Sequence, residues 1–282
     1  MRRDFVGVFD SGYGGLTVLR ALIHEFPHEK FVYFGDNAHA PYGSRSVADV
    51  QRLAFTSLDI LAQAGAKALV VACNTACAAA LPHIIERYQV GMHIPVVDVV
   101  APTARALAAA TTSGTVGVIA TDVTIRQHTY QDALKALNPH LSITAVACPE
   151  FVPLIEAGRI AGSDVDSIVA RSLSPIAAAH VDSLALGCTH YPLLIDAIAG
   201  FVGDGVRIVD ASPTAQVLRD VLGEHALLAE DMKQGVTTFV TSADPTEFRA
   251  RAQAFLGLDV PPVYSSSFFA AECVGQENDE MG

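Results

Sequence analysis

Two stretches of this chain are near copies of each other. Leu69-Val70-Val71-Ala72-Cys73-Asn74-Thr75 is echoed about 115 residues later by Leu184-Ala185-Leu186-Gly187-Cys188-Thr189-His190. In each, an apolar run stops at a cysteine and polar residues follow. Behind Thr75 the residues from Ala76 to Ile85 suit a helix, so the first copy reads as strand, polar tip, helix. The carboxyl end of a buried parallel strand is where α/β proteins gather their ligands. Two further pairs keep the same order. Val97-Asp98 with Pro102-Thr103-Ala104 matches Val209-Asp210 with Pro213-Thr214-Ala215, and Gly7-Val8-Phe9 matches Gly117-Val118-Ile119 with Thr121-Asp122, at offsets of about 111 and 110 residues. Such a repeat limits the chain to two similar α/β halves, each presenting one cysteine at a strand tip.

The remaining pattern fits this frame. Strands are expected at Phe5–Phe9, Phe31–Gly35, Leu69–Ala72 and Pro95–Val97, with helices at Leu16–Phe26 and Val47–Ala64 between them. The alternation restarts with strands at Thr115–Ala120, Ser142–Ala147, Ser183–Leu186 and Val206–Val209, and helices at Thr124–Leu137 and Asp164–Ala179, the latter capped by Ser163. A helix from Pro213 to Leu222, a strand at Thr237–Val240 and a helix at Pro245–Phe255 follow. The Pro-Thr-Ala elements mark crossings between halves near Asp98 and Asp210. The expected division is therefore 1–98 with 211–260 as one domain, 99–210 as the second, and 261–282 as a tail, loosely ordered or ordered only by docking. Facing halves would put Cys73 and Cys188 on opposite walls of one cleft.

Composition removes several functions. The 282 residues carry a net charge of −12, and no basic cluster exceeds Arg2-Arg3, which argues against a nucleic-acid partner. Five cysteines, an odd number, with no secretory leader and no membrane-length apolar run, indicate a cytoplasmic protein with reduced thiols and no membrane partner. Only four lysines are present, none in a tip motif, so a pyridoxal Schiff base is disfavoured. The spacings of Cys73, Cys77, Cys188 and His190 do not match the common zinc frameworks, and no metal is expected.

Two cysteines on opposite sides of a small molecule suit racemisation. One thiolate removes a proton from one face of a carbon while a thiol delivers another to the opposite face. Asp10 on the first side and His190, two residues from Cys188, are candidates to take or supply thiol protons. The glycine-rich turn Ser11-Gly12-Tyr13-Gly14-Gly15, with Asn74, Thr75 and Thr189, reads as a cradle of backbone and side-chain donors for carboxylates.

The motifs together resemble the glutamate racemase family within the aspartate/glutamate racemases. The resemblance rests on Asp10-Ser11-Gly12-x-Gly14-Gly15-Leu16, Gly35-Asp36 with Pro41-Tyr42-Gly43, Ala72-Cys73-Asn74-Thr75-Ala76, Cys148-Pro149 with Phe151-Val152-Pro153-Leu154, and Gly187-Cys188-Thr189-His190-Tyr191-Pro192. It implies two Rossmann-like domains with parallel sheets and an interdomain cleft, cofactor-independent interconversion of L- and D-glutamate, a homodimer, and D-glutamate supply for peptidoglycan. It makes Cys73 and Cys188 the acid–base pair, assisted by Asp10, His190 and Glu150. Substrate contacts fall at Asp10, Ser11, Pro41, Tyr42, Gly43, Asn74, Thr75, Thr121, Thr189 and His190. His39 stands where many relatives have arginine, Tyr13 where a smaller aliphatic is common, and Cys77 is an extra thiol. The N-terminal extension with which some relatives bind an activator is not expected in a chain that starts so near its first strand. A racemase of aspartate or a hydantoin, a cysteine hydrolase built on Cys188 or Cys73 with His190 and Asp10, and a non-catalytic amino-acid sensor are the alternatives.

Overall fold

The computed structural model describes residues 4–229, 233–257 and 259–279. Among the described residues, ten strands form two sheets that are parallel throughout. Strands β1 (Phe5–Asp10), β2 (Phe31–Gly35), β3 (Ala66–Val71), β4 (Val96–Asp98), β9 (Thr237–Thr241) and β10 (Val263–Ser265) build the first, in the order β10-β9-β2-β1-β3-β4. Strands β5 (Thr115–Ala120), β6 (Ser142–Ala147), β7 (Ser183–Gly187) and β8 (Arg207–Val209) build the second, in the order β6-β5-β7-β8. Helices cover the sheet faces, which is why β1, β2 and β3 are buried along their whole length and read as unbroken apolar runs.

The strand orders position the site. From β1 the chain steps outward to β2, then crosses to β3 on the other side of β1. From β5 it steps to β6, then crosses to β7. Each sheet therefore has a topological switch point, between β1 and β3 in one and between β5 and β7 in the other. Crevices open at the carboxyl ends of such strand pairs. Phe9 pairs with Val71 at the first and Ala120 with Gly187 at the second. The next residues onward include Asp10 and Cys73 on one side, and Thr121 and Cys188 on the other.

Two local expectations change. The helix expected over Thr124–Leu137 is two helices, Asp122–Arg126 and Thr129–Leu137, because His128 between them is left-handed at φ 54°. Ser163 does not cap the next helix; it is its first residue, and Gly162 at φ 118° precedes it. The tail, expected to be loosely ordered or ordered only by docking, takes the second form where it is described. Strand β10 adds to the edge of β9, and Val263 and Phe269 pack against the first core. The end of the tail, residues 280–282, and the side chain of Cys273 lie outside the described residues.

Candidate active site

Cys73 follows β3 and is the N-cap of the helix Asn74–Ile84. Its Sγ accepts from the Ala76 N–H and lies 3.4 Å from Ser11 Oγ. A sulfur at this place meets the unpartnered N–H groups of a helix start. Cys188 follows β7 in the same way, with its Sγ 3.9 Å from His190 Nδ1. Both thiols are buried, and both line one cleft of about 340 Å³ including its mouth. A wider cavity of about 840 Å³ touches Cys188 and Thr189 from the side of Thr17, Arg20 and His24, but it does not reach Cys73. The narrow cleft, which holds both thiols, is the candidate site.

Each wall repeats the other's parts. From the first sheet come Ser11, Pro41, Tyr42, Gly43, Cys73, Asn74 and Thr75; from the second come Thr121, Cys188, Thr189 and His190. Asp10 stands behind this lining, fully buried. Its Oδ2 accepts from the Gly12 N–H at 3.0 Å, and its Oδ1 is 3.4 Å from Thr189 Oγ1, so it spans the two sides. Thr75 and Thr121 hydroxyls meet across the cleft at 2.9 Å, and Thr121 continues to Thr124 at 3.1 Å. Tyr130 donates to Asn74 Oδ1 at 2.7 Å, which leaves the buried Asn74 Nδ2 without a partner on the cleft wall. A buried amide donor left open in this way costs about 1–3 kcal/mol until something accepts from it. Tyr42 donates to Asp36 at 2.5 Å, and His39 Nδ1 lies 2.8 Å from the same carboxylate. That network anchors the Pro41-Tyr42-Gly43 loop from outside.

The glycine turn also lets the two walls approach each other. The Gly12 N–H is taken by Asp10, and Tyr33 donates to the Gly12 carbonyl at 2.9 Å. A Cβ at Gly14 would overlap His190 and Thr189, and one at Gly43 would lie 2.9 Å from Thr121. These glycines let residues of the opposite wall approach the backbone closely.

One assignment is corrected. Glu150 lies outside the cleft lining, its side chain half exposed and paired with Arg171 at 2.7 and 2.9 Å. The carboxylate at the site is Glu156, whose Oε1 is 3.3 Å from His190 Nε2. Glu150 precedes the short helix Phe151–Glu156 and Glu156 ends it, and of the two only Glu156 reaches the cleft lining. The signal was present in the sequence: Glu156 is the one acid ending an otherwise apolar segment, Phe-Val-Pro-Leu-Ile-Glu. Cys77 is a core thiol donating to the Val71 carbonyl, and Cys148 is buried in the second core.

The electrostatics differ between the walls. Burial, and then the Asp10 charge, push the Cys73 thiol up to about 12. For His190, burial works against the charged ring, but the Cys188 sulfur and the Glu156 carboxylate outweigh it and raise its pKa well above the ordinary imidazole range. Both influences favour the charged ring when the Cys188 sulfur is anionic. Among the described residues no lysine or arginine lines the cleft. Carboxylates placed there would be met by hydroxyls, amides and backbone N–H groups.

The Asp/Glu/Hydantoin racemase family model matches residues 15–217. The glutamate racemase of Parafrankia sp. (strain EAN1pec) is 44% identical over 260 residues, 92% of each chain. Among solved structures, a glutamate racemase isoform from Bacillus anthracis superposes with a TM-score of 0.85 at 36% identity, covering 94% of this chain and 97% of that one. The glutamate racemase from Francisella tularensis, determined in complex with D-glutamate, gives a TM-score of 0.85 at 33% identity, with coverage of 94% and 97%.

Proposed function

The chain belongs to the Asp/Glu/hydantoin racemase family, among its glutamate racemases, and on that premise we propose that Cys73 and Cys188 interconvert L- and D-glutamate as a paired acid and base. The observation that carries this reading is the lining of a single cleft by two thiols from equivalent positions of two similar sheets. A thiolate on one wall takes the α-proton and becomes a thiol. The thiol on the other wall gives its proton to the resulting carbanion and becomes a thiolate. No electron leaves the system, so no redox partner enters the balance.

The neighbours follow from this role. His190 balances negative charge at Cys188, with Glu156 fixing the ring. Asp10 is a destination for a proton from the Cys73 side and a partner for the substrate ammonium, whose positive charge offsets the Asp10 field on Cys73. Ser11, Asn74, Thr75, Thr121 and Thr189 receive the carboxylates, with the free Asn74 Nδ2 as one donor. Pro41, Tyr42 and Gly43 close the side of the cleft. The chain divides into domains at 1–98 with 211–260 and at 99–210, and β10 extends the first of these. Its activity supplies D-glutamate for peptidoglycan, in the cytoplasm, as a homodimer acting without a cofactor.

The test is incubation with each glutamate enantiomer, without added cofactor, followed by chiral chromatography; aspartate and a hydantoin serve as comparison substrates. Interconversion of glutamate is expected. Cys73→Ala and Cys188→Ala should each lower racemisation by about 10³-fold or more while glutamate still binds. Full turnover by either single variant would overturn the two-thiol reading.

A further inference from the structure

Glu156 ends its helix, so its main-chain oxygen is one of the carbonyls that a helix terminus leaves without an intrahelical partner. The group that satisfies it comes from the other side of the molecule. Arg251, on the helix Pro245–Leu256 that follows β9, donates Nη1 to the Glu156 carbonyl at 2.9 Å. Cations at a helix C-terminus also meet the negative end of its dipole.

The guanidinium is held on three sides. Its Nη2 is 3.0 Å from Glu247 Oε1, one turn earlier on the same helix. Its carbon lies 5.5 Å from the centre of the Tyr13 ring. Tyr13 in turn stacks on Phe248 at 5.3 Å and packs against Phe255 at 5.7 Å. Tyr13 belongs to the glycine turn, and its bulk here gives Arg251 a flat surface to rest on. A chain of contacts thus runs from the helix Pro245–Leu256 through Arg251 to Glu156, from Glu156 Oε1 to His190 Nε2, and from His190 Nδ1 to Cys188 Sγ.

We propose that Arg251 is a positioning residue for the acid–base step. By gripping the end of Phe151–Glu156 from the opposite wall, it fixes where the Glu156 carboxylate meets His190, and so how the imidazole stands to Cys188. This rests on the reading of Cys188 and His190 given above. Arg251 does not line the cleft, so its contribution lies in the geometry of the reacting groups and not in holding glutamate.

The experiment measures kcat and KM in both directions for Arg251→Ala, Arg251→Met and Arg251→Lys, alone and with Glu156→Gln. Methionine keeps the stem that covers Tyr13 but removes the donor; lysine keeps a cationic donor. Arg251→Ala and Arg251→Met should lose about tenfold in kcat with KM within twofold, since small misplacements of supporting groups are costly to catalysis. Arg251→Lys should recover most of that loss. In the Glu156→Gln background the same substitutions should cost little further, the non-additivity expected of groups acting through one another. The proposal is overturned if Arg251→Met keeps full kcat, if the loss is confined to KM, or if it is undiminished in the Glu156→Gln background. The two-thiol reading is tested separately by the cysteine variants, so either can fail alone.

Discussion

Cys73 and Cys188 are equally shielded from water but stand in unlike fields. On the Cys73 side the fully buried Asp10 adds its charge to the cost of burial, and the thiol is pushed up to about 12. Alkylation follows the thiolate. In the substrate-free protein the rate of Cys73 modification by iodoacetamide should climb about tenfold per pH unit past pH 9 and level only near 12. Asp10→Asn should bring that plateau down. Peptide mass spectrometry in a Cys77→Ala background checks both; a plateau near 9 in the parent would mean that neither burial nor the Asp10 field raises this thiol. The cysteines, Asn74, Thr189 and His190 were legible in the sequence because each sits next to a strand end, where local order decides position. Glu156 was not. Whether Glu150 or Glu156 faces the cleft depends on which way a six-residue helix points, and that is set by packing of Phe151, Val152, Leu154 and Ile155 in the second core.

Elements were readable to the extent that they are long or repeated. The central strands β1, β3, β5 and β7 are near-continuous apolar runs, and their echo fixed the pairing of halves. The short edge strand β10 carries too few residues for a period to register, and the break at His128 lies in a backbone conformation that composition does not announce. The glycine turn after β1 shows the same limit. Beyond the anion cradle that its glycines suggest, they permit close contact with Thr189 and His190, which no sequence pattern announces. Gly14→Ala should therefore act as a displacement of the opposite wall. We expect a loss of at least about tenfold in kcat/KM in both directions equally, because the equilibrium between enantiomers is fixed at unity. Steady-state kinetics alongside a thermal melt distinguishes this from global unfolding; unchanged kcat/KM would mean that the two walls do not need this approach.

At the scale of the whole molecule, two sheets with matching switch points place equivalent tips against each other, and the chain crosses between them after β4 and returns after β8. Among the described residues no helix is long and apolar enough to cross a membrane. The cleft has a property that follows from the lack of lysine and arginine among the described residues that line it. Glutamate arrives with one net negative charge at a protein carrying −12, and no described lysine or arginine lines the cleft to draw it in. Its diffusional encounter is thus slowed by the mean field instead of steered by it. Raising the ionic strength from about 0.01 to 0.15 M shortens the Debye length from about 30 to 8 Å. Capture should then quicken, with kcat/KM rising by about twofold or more across a sodium chloride titration while kcat stays level. A fall instead would show that local attraction at His190 outweighs the global repulsion. On this account, ordinary cellular salt acts as an accelerator of substrate entry, and the protein is at its slowest in dilute buffer.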